Sequence, residues 1–178
     1  FVYTRMDRIL KIILKPQMVF LDVGANVGFV SLLACTTLRG IEGKVYAHCF
    51  EPDPTVFEWL SGNRQLNSNL EMVTNPIAVG AHEGHGALTV SARSGWSTMV
   101  EEPPEGFSFL PKAGQVKVPI TTLDKYCRDH ALSPGLIKID VEGLEKDVLI
   151  GARETLQQCR PFILIELNPL RLVAAGTS

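Results

Sequence analysis

The sequence contains no apolar run close to the ~20 residues that a membrane-spanning helix requires, because polar or charged residues interrupt every hydrophobic stretch. It also lacks an excess of basic residues. Lys and Arg total 17 against 19 Asp and Glu, which gives a formal net charge of −2. Without a basic surface to bind phosphates, nucleic acid is disfavoured as a partner. We therefore expect neither a membrane nor a nucleic-acid partner.

Cysteines are few, and their spacing does not predict a metal site. The four lie at positions 35, 49, 127 and 159, and none forms the CxxC pair typical of zinc sites. The opening segment, residues 1–17, has neither a Met start nor the cleavage pattern of a secretory signal. We therefore expect free thiols in a reducing compartment, no bound metal, and a cytoplasmic location.

Strand-like and helical patterns alternate along the chain. Apolar and β-branched segments predict strands at 19–23, 44–50, 70–75, 87–91, 115–120, 136–140 and 161–167. Helical patterns cover the opening segment up to Pro16, residues 27–38, the segment after Asp53 and Pro54, and the four-residue repeat of Leu144, Val148, Ala152 and Leu156. This alternation predicts one α/β domain over residues 1–178, with a mostly parallel sheet and helices on both faces.

One segment has the composition of an irregular loop. Residues 101–114, EEPPEGFSFLPKAG, contain three prolines and two glycines. Such a loop could be a surface connector or a lid over a site, and the sequence is compatible with both.

The segment VFLDVGANVG, residues 19–28, joins the first predicted strand to the next helix. In an open parallel sheet, ligands bind near this first βα turn, where the helix N-terminus presents unpaired N–H groups. Gly24 can adopt a positive φ and lets a ligand approach the backbone, Asn26 tolerates a left-handed position, and Gly28 permits close packing of the helix against the strand. The segment does not match the dinucleotide fingerprint GxGxxG, and Asp22 would repel a pyrophosphate. The turn therefore favours a ligand that bears an ammonium group.

An acidic residue follows the second predicted strand. Glu51, in the segment HCFEPDP, lies 29 residues after Asp22. A carboxylate at this place can accept hydrogen bonds from both hydroxyls of a ribose, although it could also simply lead into the next helix. Together with Asp22 and Gly24, we interpret Glu51 as part of a nucleoside site.

Six segments in order resemble the FkbM family of S-adenosyl-L-methionine-dependent methyltransferases: DVGANVG (22–28), FEP (50–52), NPIAVG (75–80), TTLDKY (121–126), KIDVEGLEKDVLIGA (138–152) and PFILIE (161–166). They span most of a core at 17–167, which follows an N-terminal helix at 1–16. The resemblance implies a Rossmann-like class I methyltransferase fold and methyl transfer to a hydroxyl of a sugar or natural-product small molecule. Such folds usually continue past the last strand with a helix and an antiparallel strand pair. Since the sequence ends at Ser178, we expect a truncated C-terminal edge.

The resemblance also implies roles for individual residues toward the cofactor, S-adenosyl-L-methionine. The methionine part would be lined by the first turn, through Asp22, Gly24, Ala25, Asn26 and Gly28. The ribose would be held by Glu51, which Pro52 follows, and the adenine would lie near Asn75 to Ala78. The transferred methyl group would be bordered by Asp140, with Glu142 beside it.

Asp140 and Glu142 are the candidate catalytic residues. A hydroxyl is a poor nucleophile at neutral pH and benefits from a base within hydrogen-bond reach. Each acid could instead be structural, Asp140 by bonding loop amides and Glu142 by placing negative charge at the start of a helix. We interpret the neighbouring Lys138 and Glu145 as structural or surface charges.

Two other functions stay open on the sequence. One is a nicotinamide-dependent oxidoreductase, which Asp22 and Asn26 in the first turn disfavour. The other is a non-catalytic module that binds the cofactor without an acceptor. For the enzyme, the expected partner is a hydroxylated small molecule.

Overall fold

A computed structural model describes residues 2–38, 43–91 and 112–168 of the chain. The helices are α1 (Val2–Ile13), α2 (Phe29–Thr37), α3 (Pro54–Leu66), α4 (Leu123–Asp129), α5 (Glu145–Ile150) and α6 (Arg153–Cys159). The strands are β1 (Val19–Val23), β2 (Tyr46–Phe50), β3 (Met72–Asn75), β4 (Ala78–Val79), β5 (Gly84–Ser91), β6 (Lys112–Thr121), β7 (Pro134–Ile139) and β8 (Phe162–Ile165). Within these ranges, no helix has the length and hydropathy needed to cross a bilayer.

The main sheet is parallel and has β1 at its centre. Its five strands follow the order β3-β2-β1-β7-β8, and a separate three-stranded sheet has the order β4-β6-β5. In the main sheet, Asp22 is level with Cys49 of β2 on one side and with Lys138 of β7 on the other. The turns that follow β1, β2 and β7 therefore meet at one edge, which is where ligands bind in such sheets.

Two hydrophobic cores cover the two faces of the main sheet. On one face, Phe20 of β1 and Leu136 of β7 pack with residues of α1, α2 and α3. On the other face, the alternate residues Leu21 and Ile137 pack with residues of α4 and α5. Because side chains alternate along a strand, both faces need apolar residues, which explains the nearly continuous apolar runs. The predicted parallel sheet with helices on both faces is confirmed.

The predicted strands and the start of α3 agree with the structure. Each of the seven predicted segments overlaps a strand. Asp53 is the N-cap of α3, where its Oδ1 accepts hydrogen bonds from the N–H groups of Thr55 (2.9 Å) and Val56 (3.3 Å), and Pro54 is the first helical residue.

The single helix predicted from the repeat at 144–156 is wrong. Two helices, α5 and α6, are separated at Gly151, whose carbonyl accepts a hydrogen bond from the N–H of Asp124 (2.9 Å). The Asp124 carboxylate also accepts from the N–H groups of Glu154 (3.0 Å) and Thr155 (2.7 Å), so that a residue of α4 caps the N-terminus of α6. A Cβ at Gly151 would lie 2.0 Å from the carbonyl oxygen of Gly80. These tertiary contacts, which the repeat does not contain, end the first helix.

Three further differences concern two elements that the sequence does not predict and the boundary of one strand. Helix α4 and the two-residue strand β4 were not predicted from the sequence. Strand β6 begins at Lys112, so residues 112–114 of the predicted loop are extended and pair with β5, while residues 101–111 lie outside the described residues. In the main sheet, β8 is the edge strand at the end opposite β3, and its Phe162 and Ile163 are exposed.

Candidate active site

A cavity opens at the edge where the turns after β1, β2 and β7 meet. The space inside it is about 710 Å³ when the part open to solvent is counted. Apolar residues such as Phe50 form part of its wall, and four acidic residues also line it: Glu51, Asp53, Asp140 and Glu142. Among the described residues, no Lys, Arg or His lines this cavity. The wall is therefore suited to a ligand that carries positive charge.

The turn after β1 has the backbone conformation that the sequence predicted. Gly24 has φ 74° and Asn26 has φ 52°, both in the left-handed region. A Cβ at Gly24 would lie 1.8 Å from the carbonyl oxygen of Asp140, so only glycine fits between the two turns. Gly28, at φ 83°, precedes α2, and a Cβ there would lie 2.6 Å from Leu60 Cδ1. Its close packing is thus against α3. The predicted packing against the strand is wrong for Gly28.

Glu51 faces this turn from the end of β2. Its Oε2 accepts a hydrogen bond from the N–H of Asn26 (2.9 Å), and its Oε1 accepts from the N–H of Asp53 (3.0 Å). The side chain lines the cavity although the residue is only 9% exposed. Burial raises the pKa of Glu51 to about 7, while the two backbone hydrogen bonds act in the opposite direction.

A buried cation, Lys138, lies directly behind the Gly24 turn. Its Nζ donates to the carbonyl oxygen of Gly24 (2.9 Å) and lies 3.1 Å from Asp22 Oδ1 and 3.7 Å from Asp140 Oδ2. Burial alone would lower the pKa of Lys138, but Asp22 and Asp140 outweigh it and hold the pKa above its ordinary value. Asp22 is fully buried, and its Oδ2 accepts from Ser31 Oγ (2.7 Å). Of the two roles that the sequence left open for Lys138, a structural or a surface charge, its burial and contacts support the structural one.

The turn after β7 presents the two candidate catalytic acids to the cavity. The N–H of Asp140 donates to the carbonyl of Val23 (3.0 Å), and Glu142 has φ 58°. Glu145 is 3% exposed, and its Oε1 accepts from the N–H of Gly143 (3.0 Å), so this buried side chain holds the turn. Glu145 is thus structural and not a surface charge.

Asn75 lies at the end of β3, behind the cavity wall. Its carbonyl accepts from the N–H of Glu51 (3.1 Å), and its Nδ2 donates to the carbonyl of Cys49 (3.0 Å). The hydroxyl of Tyr126 donates to Asn75 Oδ1 (3.2 Å) and lies 2.9 Å from His48 Nδ1. Sequence reasoning missed Tyr126 and His48. The one feature of the sequence that could have indicated Tyr126 is its position in the TTLDKY segment.

The structure thus divides the predicted site residues into two groups. The residues at the cavity are Gly24, Asn26, Glu51, Pro52, Ala78, Asp140 and Glu142. The predicted residues that do not line it are Asp22 in β1, Ala25 and Gly28 in the turn after β1, and Asn75 at the end of β3. Among the described residues, no group of three or more His, Cys, Asp or Glu side chains is arranged to hold a metal ion.

Comparison with known proteins identifies the family. The family model of the methyltransferase FkbM domain matches residues 22–173. The 2-O-methyltransferase NoeI of Sinorhizobium fredii is 28% identical over 175 residues, which cover 93% of this chain and 69% of that protein.

Two solved structures share the fold. The methyltransferase FkbM of Methylobacillus flagellatus superposes with a TM-score of 0.60 at 18% identity, over 88% of this chain and 36% of that chain. The precorrin-6y C5,15-methyltransferase of Geobacter metallireducens superposes with a TM-score of 0.55 at 13% identity, over 98% and 67%. The chain therefore spans about a third of the length of the first structure, and both likenesses confirm the class I methyltransferase fold. Since the matched family model includes the Gly24 turn, Glu51 and the Asp140 turn, the chain belongs to the FkbM methyltransferase family.

Proposed function

We propose that this protein transfers a methyl group from S-adenosyl-L-methionine to a hydroxyl oxygen of a small molecule, such as a sugar or a natural product. The observation that carries the proposal is the placement of Glu51. Its buried carboxylate is fixed at the cavity wall, beside the Gly24 turn, by two backbone N–H groups. A carboxylate offers about four lone-pair sites, so roughly two remain for the two hydroxyls of a ribose.

The residues of the cavity fit this cofactor. The four carboxylates that line it suit a ligand with a sulfonium and an ammonium group, and they would oppose the pyrophosphate of a nicotinamide cofactor. Phe50, Val56 and Ile77 offer apolar surface for an adenine ring, close to Ala78. The charge of the wall therefore favours the methyl donor over the nicotinamide-dependent alternative.

The predicted cofactor residues take direct and indirect roles in this proposal. Gly24 and Asn26 would contact the methionine part, and Glu51 and Pro52 would lie at the ribose. The other predicted residues would act by supporting the contacts, since they do not line the cavity: Asp22, Ala25 and Gly28 through the first turn, and Asn75 through its hydrogen bond from the N–H of Glu51.

Asp140 and Glu142 are the residues we propose for the reaction. When bound, S-adenosyl-L-methionine supplies an electrophilic methyl group on its sulfonium. The protein has to align the acceptor with that group, and such orientation can lower the barrier by several kcal/mol. The Asp140 carboxylate would accept the proton of the acceptor hydroxyl, and Glu142 would hydrogen-bond the acceptor and orient it. That a relative is named a 2-O-methyltransferase supports oxygen as the accepting atom.

Calorimetric titration with S-adenosylhomocysteine tests the cofactor. We expect micromolar binding to the unmodified protein, loss of binding in Glu51→Ala, and no change in Glu58→Ala, which removes an exposed acid from α3. Binding of NADH in place of S-adenosylhomocysteine would favour an oxidoreductase.

Methyl transfer to a panel of glycosides and hydroxylated metabolites tests the reaction. We expect Asp140→Asn to retain binding of S-adenosylhomocysteine but to lower the rate by about 10²–10⁴-fold, the range for loss of a general base. Glu142→Gln should raise the KM of the acceptor. Cofactor binding without any methylated product would instead indicate a non-catalytic module.

A further inference from the structure

We propose that Lys138 is a positioning residue, which fixes the Gly24 turn and the Asp140 carboxylate relative to each other at the cavity wall. The inference rests on the proposed function, because it concerns how the cofactor-binding turn and the reacting acid are aligned.

The ammonium group of Lys138 contacts three different segments. Its Nζ lies 2.9 Å from the Gly24 carbonyl oxygen in the first turn, 3.1 Å from Asp22 Oδ1 in β1, and 3.7 Å from Asp140 Oδ2 after β7. The contact with Gly24 is a hydrogen bond, whereas the contacts with Asp22 and Asp140 are ion pairs, and the one with Asp140 is too long for a hydrogen bond. Lys138 is 8% exposed, and water therefore competes little for these contacts.

Strand β2 and Lys138 together hydrogen-bond both backbone polar groups of Gly24, its N–H and its carbonyl. The N–H of Gly24 donates to the carbonyl of Phe50 (3.0 Å), whereas the carbonyl of Gly24 accepts from Lys138. The turn is thus tied to β2 through one group and to β7 through the other. The carbonyl oxygen of Asp140 packs so closely against Gly24 that a Cβ would lie 1.8 Å away. Movement of Lys138 would therefore shift both the turn and the acid.

A simpler role for Lys138 would be to neutralise Asp22. Removal of one partner of a buried ion pair leaves an uncompensated charge and destabilises a protein strongly, whereas removal of both charges is often tolerated. The double variant Asp22→Asn/Lys138→Met removes the pair as a unit and so separates the two roles. It abolishes the contacts to Gly24 and Asp140 without leaving Asp22 charged.

The first measurement is the affinity for S-adenosylhomocysteine by calorimetry, with thermal unfolding as a check of the fold. We expect the folded double variant to bind about tenfold more weakly than the unmodified protein, as for loss of one charge-assisted hydrogen bond. Lys125→Met is the matched control, because it removes the exposed ion pair with Asp129 on α4. That variant should bind with unchanged affinity.

The second measurement is the NMR signal of the lysine ammonium groups in protein labelled with ¹⁵N-lysine. We expect the Lys138 signal, assigned in the unmodified protein by nuclear Overhauser contacts of its ammonium protons with the Gly24 turn, to shift on addition of S-adenosylhomocysteine, while the Lys125 signal stays in place. A role confined to stability would leave the Lys138 signal unchanged by the ligand.

The possible outcomes separate this inference from the proposed function. Failure of the unmodified protein to bind S-adenosylhomocysteine would refute the proposed function. If that protein binds but the folded double variant binds equally well, Lys138 only neutralises Asp22 and the inference is overturned. Should the double variant not fold, the NMR titration of the unmodified protein decides, and an unshifted Lys138 signal at saturation overturns the inference.

Discussion

Protonation of Glu51 should control the affinity for the cofactor around neutral pH. Burial raises the pKa of this carboxyl to about 7, although the backbone N–H groups of Asn26 and Asp53 act to lower it. About half of the free protein therefore carries a neutral Glu51 at pH 7. A neutral carboxyl keeps one hydrogen and loses acceptor capacity, so we expect only the ionised form to accept hydrogen bonds from both ribose hydroxyls.

The size of the effect follows from the fraction of ionised protein. The apparent Kd equals the intrinsic Kd divided by the fraction of protein in the competent form. With a pKa near 7, that fraction is about one eleventh at pH 6 and about nine tenths at pH 8. We therefore expect S-adenosylhomocysteine to bind about tenfold more weakly at pH 6 than at pH 8.

Calorimetry in buffers of different ionisation enthalpy measures both the affinity and the proton release. Binding at pH 7 should release about half a proton, because the ligand selects the ionised carboxylate. Glu51→Gln cannot ionise, and it should bind weakly, with no change in affinity that is attributable to this site between pH 6 and pH 8. An unmodified protein whose affinity is the same at both pH values, or a Gln variant that keeps the tenfold dependence, would refute the reasoning.

Three further predictions concern stability. The folded-state pKa of Glu51, about 7, lies above the ordinary glutamate pKa of 4.5, so the folded state binds more protons than the unfolded state between these values. The free energy of unfolding, measured by denaturant titration, should therefore fall by about 2–3 kcal/mol from pH 5 to pH 8 relative to Glu51→Gln. Gly24→Ala should lower the free energy of unfolding by at least about 2 kcal/mol, because Gly24 has a positive φ and its Cβ would overlap the Asp140 carbonyl oxygen. Gly62→Ala in α3, where the Cβ would meet open space, should raise the free energy of unfolding by about 0.5–1 kcal/mol. Equal effects of the two substitutions would contradict this reasoning. Asp53→Ala should cost about 1 kcal/mol through loss of the α3 cap, and an unchanged melting temperature would argue against it.

Features that depend on a few neighbouring residues could be predicted from the sequence. The positive φ of Gly24, the left-handed Asn26 and the Asp53 cap all follow from the preferences of short segments, and all three are confirmed. Glu51 could be assigned to the site edge because the carboxyl ends of neighbouring parallel strands meet there.

Features that depend on distant partners could not be predicted. The division of α5 from α6 requires the contact between Gly151 and Asp124, which lies on a helix that was itself not predicted. Asp22 has the sequence position of a ligand-binding carboxylate, but the register between β1 and β7 places Lys138 beside it. Neither pairing is visible until the order of the strands and helices is known.

A crystal structure of the complex with S-adenosylhomocysteine would test the central claim most directly. We predict both ribose hydroxyls within hydrogen-bond distance of the Glu51 carboxylate, with the amino acid end of the ligand at the Gly24 turn and the sulfur facing Asp140. An adenosine bound away from Glu51, or a cavity that excludes the ligand at saturating concentration, would contradict it.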